Sequence, residues 1–207
     1  MAQAIIGPNF CSPHPVDLGI VKLVPSGNFS VKDVNGNIVF NVTGTFLSLR
    51  RFLVDGARNP IVTLQKKLPS THHRWEVYRG DSTDSRNLVF SVKKSSVVQW
   101  KTNLHVFLAN NEEESAPDFK VKGSWFEQSC VVYAGKSNSS NILAQMHKKH
   151  TSSCLSINNT MTNLSVLFMK DNFKVTVNPG VDQALIIVLI FILHEINSGG
   201  SSSANSV

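Results

Sequence analysis

The run ALIIVLIFIL, Ala184 to Leu193, constrains this chain more than any other stretch, because ten consecutive apolar residues must be kept from water. As an α-helix it rises about 15 Å, against a bilayer hydrocarbon core of about 30 Å, so it is too short to span. Lengthening it brings Asp182 and Gln183, or His194 and Glu195, into lipid at a few kcal/mol per charge. A strand competes, since Ile186, Ile187, Val188, Ile190 and Ile192 are β-branched. The length of the run and a start signal in Pro179, Asp182 and Gln183 favour the helix. With about 100° between successive residues, the apolar positions cover every azimuth, and the helix has no face for water. Something must surround it.

The rest of the chain supplies the material for an enclosure. From Val16 to Val177 short β-rich runs alternate with turn residues, the pattern of an all-β sandwich or barrel. In NFSVKDVNGNIVFNV, Phe29 and Val31 alternate with polar residues before the turn, and Ile38, Phe40 and Val42 after it. Asn35-Gly36 is suited to a type I′ hairpin turn between them. Further strands are expected over Thr45 to Val54, Pro60 to Lys66, Arg74 to Arg79, Asn87 to Lys93, Val97 to Leu108, Phe119 to Trp125, Ser129 to Tyr133 and Ile142 to Met146. Asp55-Gly56, Gly80-Asp81 and Gly135 punctuate them. The acidic NNEEESAPD, Asn110 to Asp118, reads as a solvated connection, and Thr151 to Asn163 as a long loop. No solenoid or propeller period repeats. About twelve strands in a mostly antiparallel meander, closed around the helix, remove both the sheet edges and the helix's apolar surface. The expected organisation is an N-terminal extension over 1–15, one mainly β domain over 16–197 and a disordered polar tail over 198–207.

Twenty basic residues against fourteen acidic ones leave a formal charge of +6, which favours a polyanionic partner such as a phospholipid surface or a nucleic acid. Cys11, Cys130 and Cys154 are odd in number and lack C-x-x-C spacing, which argues for inert thiols in a reducing compartment. The start MAQAIIGPNF has neither a basic leader nor a long apolar run. The expected location is cytoplasmic, with the plasma-membrane surface or the nucleus as sites of action. Sequons beginning at Asn28, Asn41, Asn138, Asn158 and Asn163 are then chance matches to a short pattern.

Four segments carry a family resemblance: DVNGN at Asp33 to Asn37, HRWEVYRGDSTD at His73 to Asp84, KGSWFEQSCVVYAG at Lys122 to Gly135 and KDNFKVTVNPGVDQA at Lys170 to Ala184. In this order they resemble the plant LURP-one-related family, over Cys11 to Asn197. That family is similar in fold to the tubby C-terminal domain and the phospholipid scramblases. The resemblance implies a twelve-stranded barrel around a central hydrophobic helix, as the enclosure argument requires. It also implies a non-enzymatic protein with a place in plant defence, related to membrane-tethered transcription regulators that hold phosphoinositides. Tubby's lipid-binding residues do not map onto this chain one by one, and none is carried over.

Familiar catalytic and metal patterns fail on inspection. GKS at Gly135 to Ser137 lacks the earlier glycine of a phosphate loop, because Cys130 stands there. In DVNGN, Ile38 and Gly44 occupy the glycine and glutamate positions of a calcium loop. His147, His150 and Cys154 lack a fourth zinc ligand, no nucleophile elbow occurs, and no cofactor is implied. The basic doublets Arg50-Arg51, Lys66-Lys67, Lys93-Lys94 and Lys148-Lys149 are the candidate lipid-binding residues. Neighbours on a strand point to opposite faces, and an apolar interior would not accept half of each pair, so the doublets belong at the barrel's rim. An anionic membrane lipid is the leading partner. A nucleic-acid or transcription-associated role is the alternative, weakened by the lack of aromatics interleaved with the basic residues. Scramblase-like lipid movement lacks a route, since the helix is enclosed.

Overall fold

Alternating apolar and polar residues become a wall with two faces when each strand reverses directly into the next. The computed structural model describes residues 4–23, 26–44, 48–68, 73–95, 102–124, 129–135, 141–148 and 169–198. Within them lie β1 (Val16–Leu23), β2 (Asn28–Lys32), β3 (Ile38–Thr43), β4 (Arg50–Asp55), β5 (Pro60–Lys66), β6 (Trp75–Arg79), β7 (Leu88–Lys94), β8 (Thr102–Leu108), β9 (Phe119–Ser124), β10 (Ser129–Ala134), β11 (Ile142–Lys148) and β12 (Met169–Val177). Each pairs antiparallel with its chain neighbours, and β12 pairs with β1 to close the barrel. The expected loop Thr151 to Asn163 and the tail beyond Ser198 lie outside the described residues.

The expected helix, α1 (Gln183–Ser198), runs through the centre. Every residue from Ala184 to Leu193 is 0–1% exposed, so the helix is surrounded on all azimuths. The inward strand residues around it include Leu18 and Ile20 of β1, Phe29 and Val31 of β2, Phe90 and Val92 of β7, and Phe173 and Val175 of β12. Full burial of such side chains stabilises by roughly 1.5–3 kcal/mol each. Phe29 and Trp75 meet the Phe191 ring edge-on, with centroids 5.3 and 6.4 Å away.

The helix start is locked at the base of the barrel. Asp182 is fully buried, and its Oδ1 accepts the Leu185 amide at 3.1 Å, the contact of an N-cap residue. Its Oδ2 accepts the amides of Ile5, Ile6 and Gly7 at 3.1, 2.7 and 3.1 Å. Residues 4–11 thus close the base, with Ile6 buried and its carbonyl accepting from Arg79 at 2.7 Å. At the other end Asn197 donates to the Leu193 carbonyl at 2.8 Å, satisfying one of the helix's terminal acceptors.

The reversal at DVNGN differs from the expected type I′ turn. Gly36 has φ 86°, but Asn35 is not in the left-handed region. The Gly36 amide donates to the Asp33 carbonyl and the Asp33 amide to the Asn37 carbonyl, at 3.1 and 2.9 Å, closing a three-residue loop with one left-handed position. The Asp33 carboxylate causes this by accepting the Asn35 and Asn37 amides at 2.9 and 2.8 Å. The same arrangement recurs at Asp55 to Asn59, where Arg58 adopts φ 69° in the glycine's place.

Candidate functional site

An up-and-down barrel fixes which strand ends share a rim. Odd-numbered strands finish, and even-numbered strands begin, at the rim where α1 ends. Thr102, opening β8, donates to Asn197 Oδ1 at 2.7 Å, and Arg51 near the start of β4 lies 3.9 Å from Glu195. Arg50-Arg51 open β4, Lys66 closes β5 with Lys67 just beyond, Lys93-Lys94 close β7, and Lys148 closes β11. The described members of all four doublets therefore fall on this one rim. Lys149 lies outside the described residues, and of Lys148 only the backbone is described, paired by register with Phe173.

The pleat splits each described doublet between the two faces of the wall. Arg51 pairs with Leu64, Lys66 with Trp75 and Lys94 with Leu104, all partners buried in the core, so these three face the barrel's mouth. Arg50, Lys67 and Lys93 lie on the outside. Lys22 joins the mouth group, because it continues the inward series Leu18, Ile20 and pairs with Phe29. The doublet pattern missed it, although its place in the alternation marks it.

The outer cations are held by the protein's own acceptors. Lys67 lies 2.8 Å from Glu76 Oε2 and over the Tyr78 ring, and Tyr78 also donates to Glu76. Lys93 donates to Glu114 at 2.8 Å, and Arg74 reaches the same carboxylate at 2.7 and 3.2 Å. Ser91 completes that cluster at 3.1 Å. Burial alone would raise the Glu114 carboxyl, but the hydrogen bonds from Arg74 and Lys93 outweigh it and hold it at about 2. The acidic run expected to be a solvated connection is thus partly a strap. Glu112 and Glu113 are exposed, while Glu114, at φ 48°, is drawn onto the outer wall. Arg50 donates to the Thr83 hydroxyl at 3.4 Å.

The mouth is arranged differently. Arg51 is 4% exposed and paired with Glu195, its stem packed over Gly44, where a Cβ would fall 2.7 Å from the Arg51 Cδ. Lys22, Lys66 and Lys94 are half-buried, and their side chains have no ion-pair or hydrogen-bond partner among the described residues. Their charge reaches the neighbouring titratable groups. His194, stacked 5.2 Å from Phe29, is pushed down to about 3 by burial and by Lys22 and Arg51. His73 is lowered by burial and by Lys66 and Lys94. Glu195 is raised, its burial outweighing Arg51, Lys66 and Lys22. The buried Trp75 indole N–H has no hydrogen-bond partner among the described residues.

Nothing in this arrangement resembles a nucleophile activated by a base, and no group of three or more metal-binding side chains is placed to hold an ion among the described residues. His147 lies on β11, exposed, beside Gln145, while His150 and Cys154 lie outside the described residues. Cys130 is buried and its thiol pushed up to about 12, so it stays protonated. Among the described residues no helix is long and apolar enough to cross a membrane. The mouth thus presents three half-buried lysines and a buried arginine whose charge bears on His194, His73 and Glu195.

Comparison with known proteins identifies the class. The LURP-one-related family model matches residues 20–194, and this chain belongs to that family. Protein LURP-one-related 10 of Arabidopsis thaliana is 50% identical over 201 residues, covering 94% of this chain and 97% of that protein. Protein LURP-one-related 15 of the same plant is 48% identical over 198 residues, covering 93% and 85%. An X-ray structure of an Arabidopsis thaliana protein superposes with a TM-score of 0.70 at 41% identity, covering 94% of this chain and 98% of that one.

Proposed function

We propose that this protein is a non-catalytic module that docks its basic rim on an anionic membrane surface, with phosphoinositide-bearing leaflets as the target. The observation that supports this reading is the gathering of the basic doublets on one rim. Asp33 and Asp55 lie in reversals at the opposite end. Unpaired cations gathered at one end would orient the molecule as it approaches an anionic leaflet. Lys22, Arg50, Lys66 and Lys94 have no carboxylate partner among the described residues. Near such a leaflet each contributes about 1 kcal/mol, so attachment is weak, reversible and salt-sensitive. Tethered regulation of transcription and a part in plant defence, which the family resemblance suggests, would then work through release from the lipid.

The test is sedimentation with vesicles at physiological salt. Binding to vesicles containing phosphoinositide, absent from neutral phosphatidylcholine and lost at high salt, is expected. Equal binding to both, or to neither, would sink the proposal. Retention of DNA or RNA that weakens steeply with salt, without vesicle binding, would favour the nucleic-acid reading instead.

A further inference from the structure

We propose that the corner of the mouth formed by Lys66, His73, Trp75 and Lys94 is a binding site for a single phosphate monoester. The inference deepens the membrane reading and rests on it for the ligand's source, a lipid headgroup; a free phosphate monoester presents the same chemistry.

The argument begins with register. Trp75, the first residue of β6, stands directly opposite Lys66 on β5 and Val92 on β7. Lys94 follows Val92 by two residues and so lies on the same face. Trp75 is therefore flanked on the same face by a lysine of each neighbouring strand. His73, exposed, precedes Trp75 by two residues in a left-handed turn of φ 49°.

The same two doublets contain their own control. Their outer members, Lys67 and Lys93, each receive a carboxylate from the protein, Glu76 and Glu114, at 2.8 Å. Their inner members, Lys66 and Lys94, receive none among the described residues. The Trp75 indole N–H is likewise unpartnered, in a side chain only 2% exposed. Buried donors are nearly always satisfied, and cations drawn partly out of water need an opposing charge. Two ammonium groups and an indole N–H on three adjacent strands, with the His73 imidazole just before β6, form a set of donors with no carboxylate at ion-pair distance among the described residues. The Glu195 carboxylate at the end of α1 is paired with Arg51.

The geometry selects a monoester over a diester. A phosphate monoester carries a charge near −2 at neutral pH and three free oxygens, enough to accept from both lysines and a third donor at once. A phosphodiester offers one charge and two free oxygens. Preference for the monoester at equal total charge therefore separates this site from the diffuse attraction of the rim.

The experiment uses the full chain, labelled with nitrogen-15, and follows the indole N–H resonances of its three tryptophans. Titration with glycerol phosphate should shift the Trp75 resonance saturably, while a glycerophosphodiester at the same ionic strength should leave it unmoved. Lys66→Met with Lys94→Met should weaken the monoester about tenfold or more, whereas Lys32→Gln at the opposite end should not. Trp75→Phe, which keeps the ring and removes the N–H, should weaken it by about threefold to tenfold. In a second arm, vesicles of phosphatidic acid and of phosphatidylserine, matched in surface charge, are compared by sedimentation. A preference for phosphatidic acid that the lysine double variant abolishes supports the site and its lipid source together. A shift with glycerol phosphate but no vesicle binding supports the site, assigns it to a free phosphate and overturns the membrane reading. Vesicle binding with a Trp75 resonance indifferent to the monoester overturns the site and leaves the membrane reading standing.

Discussion

At the base of the barrel the buried carboxylate of Asp182 accepts four backbone amides, from Ile5, Ile6, Gly7 and Leu185, and the chain's first described residues close the opening. At the mouth, Lys22, Lys66 and Lys94 and the Trp75 indole face inward without a partner among the described residues. Among the described residues, one end of the barrel thus has hydrogen bonding that converges on a single carboxylate and the other end does not. Selection for stability alone would favour the first solution at both ends. Polar groups kept half-buried and without a partner among the described residues mark the place where stability is given up for something else, which is the physical case for function at the mouth.

The largest effect tests what both ends share. Leu189→Lys puts a charge at the middle of α1, where the side chain is fully buried. An unpaired buried charge costs several kcal/mol against a total stability of roughly 5–15 kcal/mol, so the variant should lose its β-barrel circular dichroism and its solubility. A folded, monomeric Leu189→Lys protein would mean that the helix is not enclosed.

Next comes the base alone. Asp182→Ala removes the acceptor for four amides and the cap of α1 in one change. The expected loss is roughly 3–5 kcal/mol in urea denaturation, since buried donors left unpaired cost about 1–3 kcal/mol each and the neighbouring chain relaxes to recover some of them. A loss below about 1 kcal/mol would show that the N-terminal segment does not seal the base.

The third prediction reads the mouth through pH. His194 takes a proton near 6.5 when unfolded but only near 3 in the barrel, so between these values the unfolded chain binds more protons. Stability is therefore complete above 6.5 and falls as pH drops through that window, by about 2 kcal/mol between pH 7 and pH 5. Below 4.5 Glu114 adds to the loss, because its carboxyl is held at about 2 in the fold, whereas the raised Glu195 opposes the loss above 4.5, between its unfolded and folded values. His194→Gln should flatten the slope between pH 7 and pH 5 in a series of denaturation curves. An unchanged slope would mean that the imidazole is reached by water.

Much of this is readable in the residues, and the rest fails for identifiable reasons. An apolar run without a polar azimuth requires a wall around it, and the pleat requires that adjacent cations divide across that wall, so α1 and the rim follow from local pattern. Lys22 was equally legible, two steps beyond Ile20 in the inward series, but a search for doublets passes over a single lysine. Asn35 gave the wrong turn because a side-chain contact, Asp33 to Asn37, decides the backbone there. What local pattern could not disclose is which cations are neutralised. Glu114 finds Lys93 and Arg74 across 21 and 40 residues of chain, and only the folded path of the strap brings them together.

The smallest effect is the one that most sharpens the contrast between the ends. Lys66→Met and Lys94→Met each exchange a half-buried ammonium without a described partner for an apolar side chain of similar length. If these lysines are kept for binding, each change should leave stability unaltered or raise it by about 0.5 kcal/mol in urea denaturation, while attachment to anionic vesicles falls. The competing account is that they offset the negative end of the α1 dipole and the raised carboxyl of Glu195. On that account each variant should lose up to about 1 kcal/mol and vesicle binding should be unchanged. Stability and binding move in opposite directions under the first account and not under the second, so measuring both on the same two proteins decides whether the mouth differs from the base in purpose or only in composition.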